Sequence, residues 1–244
     1  MRSPSASEIL EVWERGLTQS PIQRALELLS PVYPQDSPVD LRDLSVGRRD
    51  AELLALREQL FGPEMAAIAA CPQCGGRLDL TLNVTEMRSI CPPEPLDSVD
   101  LTVAGYELQF RLPNSEDLAL ALNRNDSDGG RYRLVSRCLL SVRHDDAPAP
   151  SDPLPDEVVD AVSERMASAD PLADVQLALA CPLCSHRWRA TFDIVSFLWR
   201  EIESMAGRLL RDVHALASAY GWHERDILAL SPVRRQFYLA LMGT

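Results

Sequence analysis

The sequence predicts an α+β protein organised around a β unit that is discontinuous along the chain, with helices at both ends. Three observations predict this. Two Cys-x-x-Cys turns, Cys71-Pro72-Gln73-Cys74 and Cys181-Pro182-Leu183-Cys184, each lie between runs that alternate apolar and polar residues, the period of a half-buried strand. The stretches 46–61 and 193–220 instead repeat apolar residues at steps of three and four, the period of an amphipathic helix. Between the two turns, Ala104-Gly105 separates two further alternating runs, a β-hairpin pattern.

Taken in order, Ser7 is placed to cap a first helix whose apolar face is Ile9, Leu10, Val12 and Trp13. A break at Gly16 to Pro21 precedes a short second helix through Ala25, Leu26, Leu28 and Leu29. Residues 30–46 hold prolines and aspartates and read as a loop. Ala51, Leu53, Leu54, Leu56 and Leu60 then mark a third helix, stopped by Gly62-Pro63. Met65 to Ala70 leads into the first Cys-x-x-Cys turn, and Leu78, Leu80, Leu82 and Val84 alternate away from it.

A short helix or turn and a proline-rich connector fill 85–97, ahead of the hairpin at 99–112. Asn114 or Ser115 begins a helix with acids in its first turn. After a polar break at 123–130, a helix is expected over Arg131 to Val142, then a loop over His144 to Pro155, then a helix from Asp156 to Ala167. Asp174 to Ala180 and Trp188 to Phe192 flank the second turn. The long helix that follows carries Val195, Leu198, Ile202, Met205, Leu209, Val213, Leu216 and Tyr220 as one stripe and stops at Gly221. His223 to Leu230 makes a short helix, and Ser231-Pro232 opens the last one.

Four segments follow from this reading. Residues 1–62 form an N-terminal helical segment, and 63–84 with 174–193 form a split ribbon unit. Residues 85–173 form an inserted region with a β-hairpin and helices, and 194–244 form a C-terminal helical segment.

The two turns supply four sulfurs, the closed set that zinc takes in structural sites, and strands on both sides are what a zinc ribbon needs. The expected ligands of a structural Zn2+ are therefore Cys71, Cys74, Cys181 and Cys184. Two alternatives stay open. The thiols could be buried or redox-active, although a thioredoxin-like turn would open a helix and here strands follow. His186, two residues after Cys184, could replace one sulfur, or be a polar residue of the turn. Cys91 and Cys138 have no partner pattern.

The formal net charge is −12, and all 24 basic residues are arginine. An excess of acid works against a binder of the nucleic-acid backbone, which needs basic clusters to neutralise phosphates. No apolar run approaches the ~18 residues of a membrane span, and the first residues lack the apolar core of a signal peptide. These features suit a cytoplasmic protein without membrane insertion, where thiols stay reduced. No nucleophile motif, phosphate loop, dinucleotide fingerprint or metalloprotease spacing is present, and carboxylate pairs such as Asp145-Asp146 and Asp156-Glu157 fall in loops or helix starts. An enzyme is not expected.

Several strings resemble a known family. Cys181-Pro182-Leu183-Cys184 runs on through Phe192-Asp193-Ile194 to Phe197-Leu198-Trp199-Arg200-Glu201-Ile202. Beyond it come Leu209-Leu210-Arg211-Asp212-Val213-His214-Ala215-Leu216-Ala217, Tyr220-Gly221-Trp222 and the segment from Ile227 to Arg235. With Val46-Gly47-Arg48-Arg49-Asp50, Phe61-Gly62-Pro63 and Leu112-Pro113, these resemble the T-even-phage-like baseplate family of prophage tails and extracellular contractile injection systems. The resemblance implies a structural or assembly component of a contractile tail. Its partners would be other baseplate, hub, wedge or tail proteins, and it would itself stay cytoplasmic or be incorporated in the particle. The resemblance also carries zinc binding to the same four cysteines. A zinc-ribbon regulator or nucleic-acid adaptor, and a metalloenzyme, are the competing classes.

Overall fold

The computed structural model describes residues 2–33, 40–122, 127–145, 147–150 and 153–242. Parts of the expected loops at 30–46 and 144–155, part of the polar break at 123–130, and Asp146 lie outside the described residues. The chain is mixed helix and sheet. It begins with α1 (Ala6–Gly16), α2 (Pro21–Leu29) and α3 (Val46–Phe61), then β1 (Glu64–Ala70), β2 (Arg77–Asn83) and α4 (Val84–Ser89). The middle contains β3 (Val99–Val103), β4 (Tyr106–Phe110), α5 (Ser115–Leu122), α6 (Ser127–Cys138), β5 (Leu139–His144), β6 (Ala147–Pro148) and α7 (Asp156–Ala169). The chain ends with β7 (Val175–Ala180), β8 (Arg187–Phe192), α8 (Ile194–Tyr220), α9 (Glu224–Leu228) and α10 (Pro232–Leu241).

Two compact units result, one from residues 1–37 with 194–244 and one from residues 38–193. In the first, α1 and α2 pack on α8. Ile9, Leu10, Val12, Ala25, Leu28 and Leu29 are buried, as are Val195, Leu198, Ile202, Leu209 and Leu216 of the long stripe. Trp199 fixes how closely the helices approach. A Cβ on Gly16 would lie 2.4 Å from the indole Cη2, so only glycine admits the ring there. The Arg24 guanidinium covers the ring at 4.5 Å from its centroid, and Arg24 Nε donates to the Gly16 carbonyl at 2.8 Å.

The cap of α1 is Ser5, not Ser7. Ser5 is extended, its hydroxyl accepts from the Glu8 amide, and Glu8 accepts from the Ser5 amide in return. This reciprocal capping box satisfies two donors at once, where Ser7 alone would satisfy one.

The second unit contains a four-stranded sheet in the order β3-β4-β5-β6 and two separate hairpins, β1-β2 and β7-β8. The sheet's core is built from Val99, Leu108 and Phe110, packed with Val135, Cys138, Val158 and Val162 from the helices. The helix expected over Arg131 to Val142 ends at Cys138, and Leu139–His144 is strand β5. Its register sets Val142 opposite Leu108 and His144 opposite Tyr106. An open hairpin edge offers backbone partners that local helical periodicity does not reveal, and pairing overrides propensity here. The expected loop at 144–155 likewise contributes Ala147–Pro148 as a two-residue edge strand.

Two polar clusters hold this unit together. Asn114 caps α5: its side chain accepts from the Asp117 amide, and Asp117 accepts from the Asn114 amide. Asp117 also receives Arg111 Nη2 and Arg137 Nε, each at 3.0 Å. Burial alone would raise the Asp117 carboxyl, but Arg111, the Asn114 amide and Arg137 outweigh it and hold it below its ordinary value. At the start of α3, Asp170 Oδ2 accepts from the Gly47 amide at 2.8 Å, so a carboxylate from the end of α7 satisfies a free donor at a helix N-terminus. A Cβ on Gly47 would sit 2.0 Å from Asp170 Oδ1 and 2.9 Å from the Ala173 amide nitrogen. Gly47→Ala therefore forces α3 and α7 apart and is expected to cost about 1–3 kcal/mol in chemical denaturation. A variant as stable as the parent would show that the two elements are not pinned here.

Candidate metal centre

Each Cys-x-x-Cys turn is the loop of a hairpin. β1 and β2 pair from Glu64↔Asn83 to Ala70↔Arg77, and β7 and β8 from Val175↔Phe192 to Ala180↔Arg187. The last pair in each ladder places a cysteine directly after the strand. The Cys71 amide donates to the Gly76 carbonyl at 2.8 Å, and the Gly75 amide donates to the Cys71 carbonyl at 2.9 Å. In the second turn, the Cys181 amide meets the His186 carbonyl and the Ser185 amide meets the Cys181 carbonyl at the same distances. Gly75 at φ 70° and Ser185 at φ 60° both adopt the left-handed conformation that reverses the chain after the second cysteine. The two loops are therefore built alike, although their residues share little beyond the Cys-Pro-x-Cys core.

The loops meet. Cys71 Sγ lies 3.7 Å from Cys184 Sγ, and Cys74 Sγ lies 3.6 Å from Cys181 Sγ, across sequence separations of 113 and 107 residues. All four sulfurs lie within 4.8 Å of one another. Four sulfurs each about 2.3 Å from a tetrahedral metal would be ~3.8 Å apart, so the thiols have the number and spacing of a closed shell. Cys71 and Cys181 are buried, Cys184 is half-buried and Cys74 is exposed, so the cluster sits at the edge of a small core formed with Leu78, Leu80 and Trp188. The described residues contain no other cluster of three or more potential metal-binding side chains.

The electrostatics of the cluster favour a cation. At Cys181, burial works against the thiolate, but the amides of Cys184 and Leu183 outweigh it and bring the thiol down to about 7. At Cys184 the His186 amide favours the thiolate, yet burial and three neighbouring sulfurs prevail and push the thiol up to about 12. Without a cation, adjacent sulfurs cannot all ionise. A divalent ion removes that conflict, and the four cysteines can hold one.

Of the other sequence candidates, His186 stacks on Trp188 at 5.9 Å between ring centroids and lies outside the four-sulfur cluster. Cys138 is wholly buried in the core of the four-stranded sheet, its thiol pushed up to about 12 chiefly by burial. Cys91 is half-buried, and burial raises its thiol as well. Asp156 and Glu157 lie in the first turn of α7, where Asp156 accepts from the Tyr132 hydroxyl at 2.8 Å.

Gly76 was not legible as part of the site. A Cβ there would come within 2.7 Å of Leu183 Cδ1 in the opposite loop and 3.2 Å of Cys74 Sγ. The signal was the doubled glycine after Cys74, whose second member has no turn conformation to explain it. Gly76→Ala is expected to cost about 1 kcal/mol in thermal unfolding, and adding Leu183→Ala should restore part of it by removing the nearer contact. If Leu183→Ala restores nothing, the two loops are not apposed in this way.

No curated protein and no solved structure matches this chain. A family model does: that of the T4 bacteriophage base plate protein matches residues 17–199, a span that includes both hairpin loops and ends within α8. The resembling strings from Leu209 onward lie beyond it. A match over more than half of the chain shows kinship, and the protein belongs to the T4 bacteriophage base plate protein family.

Proposed function

We propose that this chain is a structural or assembly component of a phage-like contractile tail baseplate, and that a structural zinc ion on Cys71, Cys74, Cys181 and Cys184 staples its two hairpins together. The observation that carries the reading is the convergence of four thiols from loops more than a hundred residues apart, inside the residues matched by the family. Zinc is the metal of choice because four thiolates in a tetrahedral arrangement suit a soft, redox-inert ion. Such a shell leaves no coordination position for a substrate, so the bound ion would supply folding energy rather than catalysis.

The protein's own residues do the rest. The loop amides orient the sulfurs and temper their charge. Leu78, Leu80 and Trp188 shield the buried side of the cluster from water. A two-stranded hairpin is marginal by itself, so each depends on the staple. The expected partners are other baseplate or tail proteins, met during cytoplasmic assembly or in the finished particle.

Cys181→Ser tests the reading in cells that produce the particle. The expected result is a chain whose thermal unfolding drops sharply, with contractile particles lost by electron microscopy. Cys91→Ser, a thiol outside the cluster, should leave both unchanged. Normal particles from the Cys181→Ser strain would sink the proposal.

A further inference from the structure

The last helix is amphipathic the wrong way round for a core element. The one buried residue of α10 is Arg235, whose Nε meets Asp212 of α8 at 3.2 Å. Its large apolar residues point outward instead: Val233 is 80% exposed and Phe237 65% exposed, one helical turn apart on the same face. Phe237 continues into a run of rings. Its ring lies 6.4 Å from Tyr238, Tyr238 lies 4.9 Å from Trp222, and Trp222 stacks on Tyr220 at 4.9 Å. Tyr220 is exposed as well, while Tyr238 and Trp222 are half-buried. Exposed apolar side chains backed by half-buried rings are costly in water and rich in interaction energy, the composition of an interface centre.

Charge selects the occupant. From Ile227 to Met242 the only charged side chains are Arg234 and Arg235, in a chain whose net charge is −12. Arg235 is engaged by Asp212, while Arg234 is exposed beside Val233. An acidic partner is repelled by most of this protein and admitted here, whereas a basic partner would find better sites elsewhere. A second copy meeting helix to helix would face Arg234 with no carboxylate on α10 to pair with it, and a single ten-residue helix is small beside the ~800 Å² per partner of a standard interface.

We infer that the Val233–Phe237 face of α10, with the Tyr238–Trp222–Tyr220 rings, docks a segment of another protein that presents apolar side chains flanked by carboxylates. The surface lies beyond the residues matched by the family, so the inference goes beyond the baseplate reading and does not depend on the metal.

The test places a photo-crosslinking phenylalanine analogue at Phe237 in cells producing the particle, and identifies the crosslinked peptide by mass spectrometry. The expected product is a peptide of a different protein in which Asp or Glu flanks Leu, Ile, Val, Met or Phe. Adding Arg234→Glu should cut its yield about tenfold, with Arg234→Lys retaining most of it and the melting temperature unchanged in both. A basic peptide, a peptide of this same chain, no crosslink, or sedimentation of the purified protein with anionic phospholipid vesicles would overturn the inference. An acidic, apolar peptide from a protein outside any tail particle would uphold the docking chemistry while counting against the baseplate role.

Discussion

Four sulfur atoms, from loops more than a hundred residues apart, converge in one cluster. The hairpins that carry them are separate two-stranded sheets, with no strand of one hydrogen-bonded to a strand of the other. Their shared hydrophobic cluster is small, drawn from the cysteines themselves with Leu78, Leu80 and Trp188. A two-stranded hairpin is marginal by itself, so contacts beyond its own ladder matter to its stability. A metal bound by the four thiolates would be one such contact, and would close a loop of more than a hundred residues.

The chain between the two hairpins adds a further sheet. The four-stranded sheet and its helices have their own core around Phe110 and Val158 and a polar tie at Asp117, while Asp170 ties the end of α7 to the start of α3. This sheet lies in the same compact unit as both hairpins, residues 38–193. In sequence it follows the β1-β2 hairpin and precedes the β7-β8 hairpin.

Much of this was readable from the residues. The period of two beside each Cys-x-x-Cys turn predicts both hairpins, and steps of three and four predict α8 from Val195 to Leu216, because burial on one face imposes those periods. The four ligand candidates were legible from spacing, since a Cys-x-x-Cys turn in a reducing context is half of a known shell. Strand β5 was not, because its partner β4 lies about thirty residues upstream and no local pattern announces that pairing. Nor was the role of Gly47 or Gly76, since each glycine is required by a side chain distant in sequence. At α10 an apolar stripe at helical spacing would ordinarily read as core, and the burial of Arg235 with the exposure of Val233 and Phe237 shows that the helix is turned outward.

The most direct measurement is elemental analysis of the purified full chain, combined with X-ray absorption at the zinc edge. The expected result is one zinc per chain, surrounded by four sulfurs at about 2.3 Å, with both values lost in a variant lacking Cys71 and Cys181. A protein that carries no zinc, or zinc bound through nitrogen or oxygen in place of one or more sulfurs, would contradict it.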